Sequence, residues 1–313
     1  MLISIVVGAF ALVTIYLTYV SAQAAAQSAE ATEEQQKFDR LSASGELMNS
    51  GNAGIRIIGV ASLRKLIDDK GVEPVEGYRA LAVYVRDRSK WGKAKRERWK
   101  AAAAGPPRAA ENHPRVGVGS LRKRAPDVQA ALSVVSSPKE PLADFRADFQ
   151  DADLQGAELG RAKLDRALFN GAHLDYMDTR TRRGPYASFA LAEFKGASMY
   201  GAYFNNSDLT KAVFETPVGA DKQLRVHQRT NLRHAHFRGI KADGASFRAA
   251  DLRGAVFTAT PENRTSLRGA DFTGANLTGA DFTGADLTDA NFREARIDRV
   301  TWDGANLTGA DFP

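Results

Sequence analysis

The stretch GANLTGADFTGADLTDANF, residues 274–292, decides how the chain must be read, because it repeats a five-residue phrase, A-D/N-L/F-x-x, with an almost fixed grammar. A period of five fits neither a strand, whose side chains alternate every two residues, nor a helix of 3.6 residues per turn. It fits a coil that turns a corner every five residues and stacks on the next coil. The large central residue of each phrase and the alanine two places before it then point inward, while the Asp, Asn, Thr and Arg between them face water. Glycine in the last place, as at Gly274, Gly279 and Gly284, supplies the backbone freedom of a tight turn. Such coils stack about 4.8 Å apart through backbone hydrogen bonds, with the central Leu and Phe as ladders up the interior.

Followed outward, the phrase fills the second half of the chain. Its centres fall first at Phe149, Leu154, Leu159, Leu164, Phe169 and Leu174, then at Phe189, Phe194, Met199, Phe204, Leu209 and Phe214. They resume at Leu232, Phe237, Ala242, Phe247, Leu252 and Phe257, and close with Leu267, Phe272, Leu277, Phe282, Leu287, Phe292, Ile297, Trp302, Leu307 and Phe312. These residues are the expected core. The stretches near 177–186, 215–229 and 258–264 lack the grammar and read as inserts. Two phrases forced between centres 174 and 189 would bury Arg182 and put Gly184 at a large position, so TRTRRGPY, residues 179–186, is expected to loop out. Loops on a solenoid are common sites of binding.

This grammar resembles the pentapeptide-repeat family. The resemblance covers residues 141–313 and implies an all-β, right-handed quadrilateral β-helix with four phrases to a coil. Upstream, Arg56, Gly59 and Leu63 in RIIGVASLRKL and the run DVQAAL from Asp127 look like the helical segment of membrane-anchored bacterial members of that family. The expected organisation is a transmembrane helix over 1–22, a helical stalk over 23–50, a small helical domain over 51–140 and the solenoid over 141–313.

The first twenty residues, MLISIVVGAFALVTIYLTYV, carry no charge, and Glu30 is the first charged side chain. A helix of that length spans roughly the ~30 Å hydrocarbon core of a bilayer. Lys37, Arg40 and Arg56 all follow the stretch, which places the body of the chain on the cytoplasmic side of a single-pass span. The alternative is a cleaved signal peptide and a secreted body, since small residues, SAQAAA, follow Val20; the absence of a basic n-region speaks for the anchor.

Between anchor and solenoid, three amphipathic stretches read as helices. One has Ile55, Ile58, Leu63, Leu66 and Ile67 at helical spacing with Gly71 as its cap; the second follows Pro74 with Tyr78, Leu81, Ala82 and Val85; the third starts at Pro126 with Val128, Ala131, Leu132 and Val135. They are expected to pack together and cover the first coil. A mobile loop of about 88–125 separates the last two. Its entrance is basic: within 86–100, eight basic residues, Arg86, Arg88, Lys90, Lys93, Lys95, Arg96, Arg98 and Lys100, face two acidic ones and alternate with Trp91 and Trp99. Each Lys or Arg near an anionic bilayer contributes about 1 kcal/mol and Trp favours the interface, so this run is expected to contact a membrane surface or a partner.

Composition narrows function further. Cysteine is absent, so thiol chemistry and thiolate zinc sites are excluded. The formal charge of +6 belongs to the first half, because residues 143–313 carry 22 Lys and Arg against 23 Asp and Glu. One carboxylate per phrase is what the repeat prescribes, which argues against catalysis. No catalytic, cofactor or metal site is expected; His227, His234 and His236 lack a carboxylate partner at metal-ligand spacing, and Asn263, Asn276 and Asn306 match a glycosylation sequon that the repeat generates by itself. The expected function is a non-enzymatic interaction scaffold on the cytoplasmic face of a membrane. Its partners are the bilayer, through residues 1–20, and a protein, with a homodimer through the C-terminal coil as a further expectation. Nucleic acid is not expected. The alternative implied by the resemblance is a DNA mimic that binds a topoisomerase such as gyrase, which needs a strongly negative rod; only residues 270–313, with eight carboxylates against three Arg, approach that.

Overall fold

The structure is a computed structural model that describes residues 2–91, 120–140, 142, 145–181, 186–216 and 229–313, with side chains from residue 18 onward. The chain forms two compact units, Met1–Pro74 and Val75–Pro313.

In the first unit no proline occurs before Pro74, and α1 runs unbroken over Leu2–Met48. The helix α2, Ala53–Asp68, folds back on it after a turn that Asn52 caps, its Oδ1 accepting from the Gly54 amide at 2.8 Å. Arg56 donates to the carbonyls of Ser50 and Gly51 at 3.0 Å each and so ties the same turn. At Gly59 the two helices meet: a Cβ there would stand 2.7 Å from the Met48 amide nitrogen and 2.9 Å from the Leu47 Cβ. With Leu63 buried, the three residues Arg56, Gly59 and Leu63 therefore share one task, the tight α1–α2 hairpin. The buried stripe of α2 is Gly59, Val60, Leu63, Leu66 and Ile67. Ile55 and Ile58, expected within it, are instead exposed, because they precede the crossing at Gly59. The left-handed residue that ends α2 is Lys70, at φ 57, and Gly71 closes the turn through its amide to the Leu66 carbonyl. Among the described residues no helix is long and apolar enough to cross a membrane; the expected span over 1–22 rests largely on residues 1–17, whose side chains are not described.

The second unit is a quadrilateral solenoid with a helical cap. Parallel bridges define its four faces. Face I runs Asp148–Leu168–Glu193–Val213–Ser246–Asp271–Asn291–Asp311, face II Asp153–His173–Ser198–Asn231–Asp251–Asn276–Arg296, face III Glu158–Asp178–Tyr203–His236–Val256–Asp281–Thr301, and face IV Lys163–Ser188–Asp208–Lys241–Ser266–Asp286–Asn306. Seven rungs on face II make seven coils, numbered here from the N-terminal end. Each corner is a turn closed by one hydrogen bond, such as Ala275 N–H to the Phe272 carbonyl at 2.9 Å. Its last residue takes positive φ, at 66° for Gly274, which is the type II geometry that glycine adopts without strain. Arg161, Leu191 and Lys211 occupy the equivalent place at φ 65, 59 and 54, and each costs the chain about 1 kcal/mol relative to glycine.

The interior follows the grammar of the phrase. Central residues from Phe149 to Phe292 are buried, as are the alanines two places before them. Phenyl rings collect on two opposite faces. On face I, Phe169, Phe194, Phe214, Phe247, Phe272, Phe292 and Phe312 stack at 4.8–5.1 Å; on face III, Phe204, Phe237, Phe257, Phe282 and Trp302 do so at 4.7–5.2 Å. The two stacks meet edge to face, as Phe247 meets Phe257 at 5.9 Å, the geometry that the ring quadrupole favours. In coil 4 the sizes are exchanged, Ile240 standing at the small place and Ala242 at the large one, both fully buried, so the volume is conserved. Ile297, Trp302 and Leu307 of coil 7 are only partly covered, and Phe312 is exposed.

Two expectations change. The insert placed at 177–186 begins later: Met177 and Thr179 are buried in coil 2, and Asp178 bridges Tyr203. The hydroxyl of Thr179 meets that of Ser207 at 3.1 Å, which satisfies a polar group at a position the grammar reserves for Leu or Phe. The insert at 258–264 is a pinned loop: Asn263 Nδ2 donates to Asn206 Oδ1 at 3.1 Å, and Thr265 Oγ1 donates to the Thr258 carbonyl at 2.8 Å. The insert at 215–229 falls mostly on 217–228, outside the described residues.

The helical segment expected over 51–140 is divided at Pro74. α3 (Pro74–Arg88), α4 (Leu121–Arg124) and α5 (Pro126–Val135) belong with the solenoid, because coil 1 has an open edge of backbone groups for them to satisfy. Gln129 of α5 does so on face III, its Oε1 accepting from the Glu158 amide at 2.9 Å and its Nε2 donating to the Glu158 carbonyl at 2.8 Å. Elsewhere the Ser136 carbonyl accepts from Lys163 N–H, the Ser89 carbonyl from Asp153 N–H, and the Gly156 carbonyl from Leu121 N–H. The expected loop of about 88–125 is thus ordered at both ends, and 92–119 lie outside the described residues.

A candidate interaction surface

The solenoid interior is filled, so whatever the second unit does it does with outward side chains. Three zones differ in how those side chains are spent. The first is a latch on face II of coils 1 and 2. His173, almost fully buried, receives Asp153 on Nδ1 at 3.1 Å and Asp175 on Nε2 at 3.0 Å. Asp175 is completely buried, and its other oxygen accepts from Ser198 Oγ at 2.5 Å and the Tyr200 amide at 2.8 Å. Burial alone would push the imidazolium down, but the Asp175 and Asp153 carboxylates outweigh it and hold His173 up to about 9. Asp175 is correspondingly lowered by His173 despite its burial. The Trp91 ring covers this cluster, stacked on His173 at 4.5 Å, and Lys90 bridges Ala152. The chain leaving α3 is thereby fastened to the solenoid.

The second zone is face III with its flanking corners in coils 2–5. Tyr203 and His236 stack at 4.5 Å and 3°, and the Arg180 guanidinium lies 3.9 Å over the Tyr203 ring while pairing with Asp178. Around the corner, Arg253 grips Asp251 with both ends of its fork, at 2.8 and 2.5 Å. Arg233 sits one coil below it; burial and the neighbouring Arg253 both lower its pKa, and its Nε is buried with no hydrogen-bond partner.

The third zone is the outer surface of coils 6 and 7. There the outward carboxylate or amide accepts from the backbone and hydroxyl of the Thr two residues on, as in Asp271–Thr273 (2.9 and 2.5 Å), Asp281–Thr283 (2.9 and 2.6 Å) and Asn306–Thr308 (3.2 and 2.8 Å). Asp271 and Asp286 are lowered, the pull of Thr and Arg neighbours exceeding the push of burial. These carboxylates hold their own turns.

A sequence model for pentapeptide repeats matches this chain in eight copies, over residues 146–178, 186–215, 228–260, 265–301 and 285–313. The chain belongs to the pentapeptide-repeat family. No curated protein matches it. Solved structures similar to this pentapeptide-repeat protein include QnrB1, a plasmid-mediated fluoroquinolone resistance protein, at 18% identity over 50% of this chain and 89% of that one, with a TM-score of 0.31. HetL of the cyanobacterium Nostoc sp. strain PCC 7120, a pentapeptide repeat protein involved in heterocyst differentiation regulation, is 20% identical over 54% of this chain and 88% of that one, with a TM-score of 0.19.

The expected contact residues of this pentapeptide-repeat protein are scattered in kind. Arg86 pairs with Asp148, Arg88 lies 5.8 Å from the Tyr84 ring, Lys90 pairs with Asp87 at 3.1 Å, and Trp91 faces His173. Lys93, Lys95, Arg96, Arg98, Trp99 and Lys100 lie outside the described residues. His234 and His236 fall on the face II–III corner, where their rings meet Tyr200 and Tyr203, and His227 is outside the described residues. Among the described residues no group of three His, Asp or Glu is arranged to hold a metal. Sequence reading missed the latch, since His173, Asp153 and Asp175 occupy ordinary outward places in the phrase; the one available signal was a histidine where neighbouring coils carry Asp or Ser.

Proposed function

We propose that this pentapeptide-repeat protein is a non-enzymatic scaffold, tethered to a membrane through residues 1–20 and presenting its solenoid to a protein partner on the cytoplasmic side. The observation that carries the reading is the contrast, among the described residues, between a filled solenoid interior and an outer surface of ordered side-chain rows that offers contact area. The charge-free opening sequence supports the tether, and the basic run of 86–100 supports contact of the adjoining surface with anionic lipid. The test is alkaline extraction of membranes from cells expressing the full chain or a chain lacking residues 1–20. The full chain stays in the pellet and the shortened one is released; release of both overturns the tether. Flotation of the full chain with phosphatidylserine-containing vesicles, before and after Lys and Arg of 86–100 are changed to Gln, separately tests the basic run.

A second reading, DNA mimicry toward a topoisomerase, has one feature in its favour, the excess of carboxylates in 270–313. Three of those eight, Asp271, Asp281 and Asp286, are engaged in their own turns, and the solenoid as a whole nets −1 over 143–313. Inhibition of gyrase supercoiling by the purified chain at micromolar concentration would establish this second reading over the first.

A further inference from the structure

Face III of coil 4 is flanked by positive charge: Arg233 stands on the II–III corner, between the rungs Asn231 and His236, and Arg238 on the III–IV corner, between the rungs His236 and Lys241. Arg180 and Arg253 have carboxylate partners, Asp178 and Asp251. Arg233 and Arg238 form no ion pair among the described residues, and Arg233 is held half-buried one coil from Arg253 with its Nε unsatisfied. A guanidinium placed between burial and a like charge gains from an incoming anion twice, by restored hydrogen bonds and by relieved repulsion. The adjoining wall is the flat Tyr203–His236 stack. Tyr and Arg together are the side chains over-represented at the energetic centres of protein interfaces.

We propose that face III around coil 4 is a docking surface for an acidic protein segment, whose carboxylates pair with Arg233 and Arg238 on its two corners while an aromatic or aliphatic side chain lies along the edge of the Tyr203–His236 stack. The basic area is an island: Asp281 lies on face III in coil 6, Asp298 and Asp303 lie on the corners of face III in coil 7, and Glu158 lies on face III below, in coil 1. A polyphosphate backbone needs a continuous basic track and would be repelled at both margins, whereas a short acidic segment fits between them. The proposal rests on the scaffold reading and names its partner class; it is tested without membranes, so that it and the tether can fail independently.

The experiment measures fluorescence anisotropy of a labelled Glu-Tyr copolymer peptide titrated with the full chain in detergent, beside a Lys-Tyr copolymer and an oligothymidylate. The Glu-Tyr peptide is expected to bind, more weakly as salt rises. The double variant Arg233→Gln, Arg238→Gln is expected to weaken it at least about tenfold. The charge-matched variant Lys163→Gln, Lys211→Gln, on face IV of coil 1 and on the IV–I corner after coil 3, is expected to leave it unchanged. Should the first double variant unfold at lower temperature than the parent, the exposed Arg238→Gln alone serves, with a smaller weakening expected. No binding of the Glu-Tyr peptide, equal weakening by both double variants, or preferred binding of the oligothymidylate lost with Arg233 and Arg238, each overturns the proposal.

Discussion

Coils 1–4 and coils 6–7 are built from the same phrase and use it in opposite ways. In coils 6–7 Asp271, Asn276, Asp281, Asp286 and Asn306 are acceptors for the next Thr, and Gly fills the left-handed corner at five places, with Asp289, Glu294 and Arg299 at the others. In coils 1–4 the equivalent places hold Asp153, His173, Asp175, Tyr203, Arg233 and His236, which reach across coils and to the cap. Regular repeats close on themselves; departures from the repeat carry attachment and, by our proposal, recognition. Position within the stack matters as well, since each coil contacts only its neighbours.

The comparison is tested most severely in the core. Phe247→Ala removes a ring stacked between Phe214 and Phe272 and is expected to destabilise by about 4 kcal/mol. Phe312→Ala, at a ring 36% exposed, is expected to cost less than about 1 kcal/mol. Urea unfolding followed by circular dichroism compares the two; equal losses would mean that the interior does not depend on stacking from both sides.

Next comes the latch. His173→Leu leaves the buried Asp175 without its cation and Asp153 with Arg124 alone, at 3.3 Å, and is expected to cost about 3 kcal/mol, against under about 0.5 kcal/mol for Asp281→Ala in coil 6. The pH dependence gives a second readout. His173 has a folded pKa of about 9, above its unfolded 6.5, so its contribution is complete below pH 6.5 and declines as pH rises through 9. The parent is expected to lose stability across that window and the Leu variant to lack this loss; identical alkaline profiles would remove His173 as the cation of the latch.

The smallest contrast concerns one turn position in two settings. At Gly239, φ is +64° and a Cβ would lie 2.4 Å from Asn206 Oδ1, whereas at Gly274, φ is +66° and the space is open. Alanine at Gly239 is expected to cost about 2 kcal/mol, from both backbone strain and the displaced Asn206, and alanine at Gly274 about 1 kcal/mol from strain alone. Matching thermal shifts would show that the Asn206–Asn263 contact around the coil 5 insert adds nothing.

Much of this was legible beforehand because a five-residue period has a single structural consequence. The buried ladders, the small alanines and the glycine corners follow from the identity of each residue and its place in the phrase, and so do the buried stripes of α3 and α5. Thr179 was misplaced because a hydroxyl at a central place reads as a break, and only the facing Ser207 makes it acceptable inside. Ile55 and Ile58 were misplaced because helical spacing gives a stripe but not where along the helix its neighbour begins.

By itself, the sequence determined the solenoid, its period, the apolar core and the direction in which most repeat side chains face, since these depend on the place of each residue in the phrase and on burial of the apolar ones. The tertiary structure decided which distant outward residues share a coil edge. His173 finds Asp153 twenty residues away, Trp91 arrives from α3, Gln129 of α5 closes the edge of coil 1, and Arg233 comes to lie beneath Arg253. Such meetings depend on coil stacking and insert length, which add or remove residues between the partners without altering the grammar of any one phrase.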